Sequence, residues 1–497
     1  MQQATEAAVQ AAKKDIRRFT ALYRFTSAKS FRNWREYEQY RKHLILKKIF
    51  RYIVITDITN FFDSVLHSEV SNAFRNYPVP SRLIGLLFYL LERLAIRADY
   101  SDSPRIGLPV DQFECSRTIA NLVLFPHDHR MVQLVGKNAY VRWMDDQAIG
   151  ANSRAAGLQI VAALGGSLAK LYLTANAKKT RILSLREAKI HFHLRSNARL
   201  DRLENLIRSR SKPRRALVRE LRKTWRLALR AKNEGEWEKI QKRVYRLAGL
   251  TKARFLRKEA LRDILKTPTL TERIADYMRC SGSVREYLKF VRATIRHRQQ
   301  IHEDVELLLF ESLLRVETKG AKARQIANLA LKIVKEITDS KRSPTFAAPA
   351  CLLILRFGNR SNKSSLSRCF SESKSARHPQ LIRASAIAYS TFGRKEFTKV
   401  RRAAATLLNN PLALMVRMVR RLQKLNQVPD RFKARISLRS DSVRGGLYID
   451  MRTYAAARLL RLNRRKAIRT WLKQWVNGAK KKRVSAFDRR LLARLIV

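Results

Sequence analysis

The chain has 497 residues, enough for roughly three domains of ordinary size, and its 45% hydrophobic content excludes a disordered tail protein. Lys and Arg number 104 against 40 Asp and Glu, a formal net charge of +64; self-repulsion on that scale points to a polyanionic partner, nucleic acid first. No apolar run approaches the roughly 18 to 20 residues of a membrane helix, and the first residues lack a signal-peptide core, so no membrane partner is expected. Along the chain, residues 51–62, RYIVITDITNFF, read as a buried strand: Ile53, Val54 and Ile55 are β-branched, and the run ends on the acidic Asp57. Helical spacing follows at Ile84, Leu87, Phe88 and Leu91, and again at Cys115, Ile119, Leu122 and Val123. A second apolar element, YVRWMDDQAIG at 140–150, is interrupted at its centre by Asp145 and Asp146.

From about residue 196 the pattern is almost wholly helical, and strands are expected to disappear. In PRRALVRELRKTWRLALRAK, Pro213 suits a first turn, while Leu217, Leu221 and Trp225 stack at i+4. Gly 16 and Pro 12 are low for this length, which favours long helices over a turn-rich sandwich. SPTFAAPACLLILRFG (343–358) aligns with HPQLIRASAIAYSTFG (378–393), Pro344 over Pro379 and Phe357-Gly358 over Phe392-Gly393. A proline-started helix and a glycine stop, repeated in this way, predict stacked HEAT-like helix pairs; two ordinary amphipathic helices are the alternative. NRSNKSSLSR (359–368) reads as a polar low-complexity patch, and KKKR (480–483) as a solvated face or a phosphate clamp. Residues 1–195 carry 30 of the basic and 16 of the acidic side chains, so the remainder holds +50 of the charge and the larger electrostatic surface. Cys115, Cys280, Cys351 and Cys369 stand far apart, which suggests neither a zinc knuckle nor a disulfide framework and fits a reducing cytoplasm.

A single strand carboxylate is usually satisfied by a nearby cation. Three brought together by two short strands repel one another, an arrangement worth its cost chiefly if divalent cations fill the gap. Phosphoryl transfer through two metal ions requires such a cluster, one ion activating a hydroxyl and the other holding the triphosphate and leaving group.

These segments also resemble a known family in order. ITDITNFFDSV resembles motif A of reverse transcriptases, RIGLPVDQFECSRTIANLVLFPHDH (105–129) resembles motif B, and YVRWMDDQAIG resembles the Asp-Asp hairpin of motif C. GGSLAKLYLTANAKKTRIL (165–183) is similar to motif D, with Asn176 and Lys179, and HFHL (191–194) to motif E. Gly-Leu-Pro-Val and the Ser116-Arg117 pair are closer to the bacterial abortive-infection (Abi) and other unknown-group defence-associated enzymes than to retron or group II intron ones, which typically show Gly-Leu-Pro-Gln-Gly. Abi-like members also join their polymerase to a HEAT-like helical half.

The resemblance implies an α+β right-hand fingers and palm over 1–195, a basic thumb-like or connecting helical region over 196–320, and an all-α HEAT-like repeat domain over 321–497. It implies that Asp57 and Asp145 bind two Mg²⁺ ions, that the Ile58 carbonyl completes one shell, and that Asp146 tunes the site from beside it. Phe62 falls on the steric-gate position that selects deoxynucleotides. Gly107, Leu108 and Pro109 form a turn against nucleotide and template, and Lys179 neutralises or protonates the departing pyrophosphate. Trp143 keeps a ring where the hairpin usually has Tyr or Phe, whereas Asp111 puts a carboxylate near the template path. Only 56 residues precede Asp57, so the fingers are expected to be shortened, with Arg24, Lys29 and Arg32 as triphosphate-binding candidates.

The activity implied is antiphage DNA synthesis from deoxynucleoside triphosphates, untemplated and primed from a protein hydroxyl, with Tyr448 and Tyr454 as priming candidates. Copying of a bound noncoding RNA is the first alternative. A retron-like or intron-type enzyme and an inactive nucleic-acid-binding scaffold are the others. RNA or DNA is the expected partner of the basic half, and a homo-oligomer is expected from the same relatives.

Overall fold

A computed structural model describes residues 30–94 apart from 76 and 78, and then 105–109, 114–209, 211–296, 302–371, 377–406, 410–441 and 446–495. The chain divides into two compact units. One runs to Arg195 and includes Ala231–Trp237, and the other comprises Ser196–Arg230 and Glu238–Val497, continuing through residue 320 without division.

The first unit is organised by a four-stranded antiparallel sheet in the order β2–β3–β1–β4, with β1 at Tyr52–Thr56, β2 at Tyr140–Trp143, β3 at Asp146–Ala151 and β4 at Arg181–Ser184. Both faces of the sheet are covered, which is why β1 reads as an unbroken apolar run. Alternate residues go to opposite cores. Val54, Tyr140 and Ile149 join one cluster, while Ile53, Ile55, Val141 and Ala148 join the other. Helices α1 (Ser30–Leu46) and α7 (Leu185–His191) supply the second core with Tyr37, Leu44, Ile45 and Ala188. The first core receives α2 (Phe61–Ser64), α3 (His67–Arg75), α4 (Ser81–Leu94), α5 (Glu114–Val135) and α6 (Arg154–Ala169). Ser153 caps α6 by accepting from the Ala156 amide at 3.0 Å. Ser184 and Glu187 form a capping box that turns β4 directly into α7.

The returning segment 231–237 is fixed to the end of this unit. The Glu236 amide donates to the His191 carbonyl at 2.8 Å, and the Glu236 carboxylate pairs with the buried Arg41 at 2.8 Å. Gly235 takes a positive φ of 45°, and a Cβ there would lie 2.2 Å from the His191 oxygen, so the close approach admits only glycine.

The second unit is almost entirely helical. Pro213 precedes the helix Arg214–Ala228, which buries Leu217, Leu221 and Trp225 on one stripe. The proline-started segments form helices that pack on one another: Pro344 opens a 3₁₀ turn leading into Ala347–Phe357, which stops at Gly358, and Pro379 opens Pro379–Ser390. The polar patch at 359–368 lies in the helix Arg360–Ser371, where Leu366, Cys369 and Phe370 at helical spacing are buried. Two expectations are corrected. The strand read over 51–62 ends at Thr56, and Phe61 and Phe62 begin helix α2 instead. Strands do not vanish from the second unit: Arg439–Asp441 and Gly446–Tyr448 pair as a small antiparallel hairpin. The residues of KKKR are largely exposed. No helix of the described residues is long and apolar enough to cross a membrane.

Candidate active site

Asp57 is the first residue beyond β1, and its backbone is held on the side of β4. Its carbonyl accepts from the Asn176 amide at 2.8 Å, the Thr59 amide donates to Thr174 at 2.9 Å, and Ile58 bridges Ala175. Asp145 and Asp146 lie at the tip of the β2–β3 hairpin, closed by the pairing of Trp143 with Asp146 around Met144, whose φ is 55°. The register decides the rest. Thr56 of β1 opposes Gln147 of β3, so the hairpin tip reaches the end of β1, where Asp145 meets Asp57 and the charge of Asp146 acts on it from beside.

Asp57 is 6% exposed, Asp145 half-buried and Asp146 exposed. The side chains of Asp57 and Asp145 are hydrogen-bonded to each other. Burial, with the charges of Asp146 and Asp57, pushes the Asp145 carboxyl up to about 6. The Lys179 ammonium donates to Asp57 Oδ2 at 2.8 Å on a side chain that is 64% exposed, and that bond raises its own pKa. Among the described residues no group of three or more His, Cys, Asp or Glu side chains forms a ready-made metal site. Here Lys179 engages one Asp57 oxygen, and Asp57 and Asp145 bond to each other. The donor set nevertheless suits a hard cation: it consists of carboxylates with the neighbouring Ile58 backbone. Two hydrogen-bonded carboxyls, one with a raised pKa, mark negative charge in excess of what one ammonium balances.

Phe62 lies on α2, its ring half-buried and 5.5 Å from the buried Phe61. Its carbonyl accepts from the Leu108 amide at 2.8 Å, and Gly107 donates to Val65, so the Gly107-Leu108-Pro109 segment is laid beside Phe62. Gly107 has a φ of 93°. His67, which sequence reasoning missed, fixes this turn by bonding the Gly107 carbonyl through Nε2 at 2.8 Å. Trp143 packs against Tyr37, with ring centroids 6.2 Å apart. Arg24, Lys29 and Asp111 lie outside the described residues, as does the side chain of Arg32.

A second missed feature lies under the hairpin. Buried Arg142 reaches Asp128 on α5 with two nitrogens, one bond being Nε to Oδ1 at 2.7 Å. Its Nη1 donates to Asn121 Oδ1 at 3.0 Å and to the Met144 carbonyl at 2.8 Å. Tyr140 donates to the same Asp128 at 2.6 Å. This lattice grips the residue immediately before Asp145. An arginine within the apolar YVRW run and an aspartate in LFPHDHR were the available signals, since neither charge is expected inside an apolar element without a partner.

The tyrosines belong to the second unit. Tyr454 is 4% exposed within a hydrophobic core, and Tyr448 is half-buried on its strand with the Arg315 guanidinium 5.6 Å from its ring. Tyr454 thus takes the packed aromatic role.

Residues 3–215, under half of the chain, match the family model described as reverse transcriptase (RNA-dependent DNA polymerase). The chain therefore carries a reverse transcriptase domain there, a nucleotidyltransferase module whose substrates are nucleotides and nucleic acid. No curated protein matches the chain.

Proposed function

We propose that the first unit is a Mg²⁺-dependent DNA polymerase site acting in phage defence, with Asp57, Asp145 and Asp146 as its catalytic carboxylates. The observation that carries this reading is the meeting of Asp57 with Asp145: strand register delivers two carboxyls to hydrogen-bond contact, at a cost that a structural role does not recover. Asp57, Asp145 and the Ile58 carbonyl are the residues to hold two Mg²⁺ ions, with Asp146 beside them. When bound, the ions supply activation of the attacking 3′-hydroxyl and charge neutralisation on the triphosphate.

The protein's own groups do the remaining work. Lys179 holds Asp57 from an exposed stem, which also lets its ammonium turn toward a triphosphate and neutralise or protonate the leaving group. The half-buried ring of Phe62, braced by Phe61 and by the Leu108 backbone, crowds a ribose 2′-hydroxyl. Gly107 keeps the neighbouring turn free of a side chain, so backbone can approach base and template. Arg142 and Asn121, acting through the Met144 turn, hold Asp145 in place.

The helical unit, which bears most of the +64, is read as a HEAT-like scaffold for nucleic acid. The defence role rests on the altered Gly-Leu-Pro-Val turn together with that helical repeat. A second reading, copying of a bound noncoding RNA, is favoured by the basic surface, which suits a resident RNA as well as a product strand. The test is to purify the full chain without nuclease and supply labelled deoxynucleotides with Mg²⁺. Incorporation without added template and covalent to protein indicates protein-primed synthesis. Incorporation that RNase abolishes indicates copying, and none in either case removes the polymerase reading.

A further inference from the structure

The second unit contains a pocket of about 220 Å³ whose lining includes Lys363, Arg458, Arg461, Arg494 and the rings of Phe392 and Tyr454. Tyr454, Arg458 and Arg461 follow one another at i, i+4 and i+7 on a single stripe of the helix Met451–Leu460 and its cap. Lys363 comes from Arg360–Ser371, and Arg494 from the cap of Ala486–Ala493.

Arg458 and Arg461 are fixed by neutral acceptors, and none of the four cations pairs with a carboxylate among the described residues. Arg458 donates from Nε to the Thr391 carbonyl at 2.9 Å and from Nη1 to the Arg494 carbonyl at 2.9 Å. Arg461 donates to that same Arg494 carbonyl at 3.0 Å. These acceptors are neutral, so they set the direction of each guanidinium without compensating its charge. The Lys363 ammonium lies 4.6 Å from the centre of the Phe392 ring instead of on a carboxylate. Burial, and then the charges of Arg494 and Arg458, hold it below the usual ammonium range, with Glu396 acting against them. Four cations lining one pocket with no acidic side chain among its described lining are a costly arrangement that an anion relieves.

We propose that this pocket binds a multiply charged phosphate group, a terminal phosphate monoester or a diphosphate, in preference to an internal phosphodiester. An internal diester carries one negative charge and would leave most of the cluster unmatched, whereas a terminal phosphate or diphosphate carries two or more. The volume agrees, since about 220 Å³ is below the ~300–1,000 Å³ of sites that enclose a whole small molecule. Two arginines with preset forks match phosphate oxygens in the way that Lys363, as a point charge, does not.

Two sources share this chemistry: the 5′-phosphorylated end of a nucleic acid and free diphosphate. The full chain is titrated at about 200 mM salt, to suppress the general polyanion binding of so basic a protein, with a 3′-labelled oligonucleotide bearing either a 5′-phosphate or a 5′-hydroxyl. Sodium pyrophosphate serves as the competitor. The variants are Arg494→Gln, whose exposed side chain can change while its backbone carbonyl remains, and Lys363→Gln. Thermal unfolding reports whether each is folded.

The proposal expects the 5′-phosphorylated end to bind about tenfold more tightly, with the advantage lost in both variants and competed by pyrophosphate. If the two ends bind alike but pyrophosphate raises the melting temperature of the parent protein and not of the variants, the site stands and free diphosphate is its ligand. Equal binding of both ends with no pyrophosphate-induced shift overturns the proposal, as does a preference unchanged in folded Arg494→Gln and Lys363→Gln.

Discussion

Asp128 and Arg142 define the most demanding contact of single residues in the first unit, because each is a buried charge whose nearest opposite is the other. Removing one partner strands the second in a dry interior, at about 3–5 kcal/mol. Asp128→Asn is therefore expected to lower the unfolding free energy by about that amount in urea titration, and a loss under about 1 kcal/mol contradicts the network described. Phe62 makes a different prediction. Phe62→Ala opens the ribose side of the site, so the ratio of ribonucleotide to deoxynucleotide incorporation rises by about tenfold or more, equivalent to a packing contact of about 1.4 kcal/mol; an unchanged ratio assigns the ring to the core alone. The three aspartates were legible because carboxylates that end or split an apolar run violate the run's own logic. Arg142 violated it equally, but its partner is 14 residues away on another element, and no local spacing connects them. His67 was illegible for the same reason, since the Gly107 carbonyl that it holds is 40 positions distant.

Among elements, β1 was readable over Tyr52–Thr56, where both faces are buried, but not its end, since the apolar Phe61 and Phe62 that read as its continuation start helix α2. The helix Arg360–Ser371 was not readable, because its serines and asparagine mask three buried apolar positions whose packing is tertiary. The return of 231–237 to the first unit was also hidden. Gly235 carries it, and Gly235→Ala adds a Cβ against the His191 backbone in a left-handed conformation. The variant is expected to expose the 231–237 segment to protease and to lower the melting temperature by several degrees; unchanged digestion contradicts the close approach. Three elements share one titratable joint: His127 of α5 bonds Ser167 of α6 at 2.9 Å and Gln147 of β3 at 3.0 Å, and burial holds its imidazole below the ordinary range. The unfolded chain then takes up a proton that the fold refuses, so stability is kept above about pH 6.5 and lost as pH falls below it. His127→Gln is expected to flatten that slope in melts between pH 7 and pH 5. A residual slope remains from His191, whose pKa burial also lowers, and a slope equal to the parent's contradicts the assignment.

For the whole molecule, a charge of +64 makes salt the strongest lever on nucleic-acid binding. Contact with six or more phosphates predicts a log-log salt slope near −4 for single strands or steeper, a loss of two or more decades in affinity between about 50 and 200 mM salt. A slope near −1 would mean that the basic surface is mere solubility charge. Composition made this property visible without any structure, whereas the four-cation pocket of the second unit drew its residues from three separate helices and could be seen only once they were packed. The account as a whole turns on the carboxylates that strand register brings together at the end of β1. The most direct measurement is Mg²⁺-dependent incorporation of labelled deoxynucleotides by the full chain beside Asp145→Asn, a nearly isosteric change that leaves the fold and the basic surface in place. The account predicts a loss of about a thousandfold or more in rate with nucleic-acid binding unchanged. Incorporation by Asp145→Asn at the parent rate would contradict it.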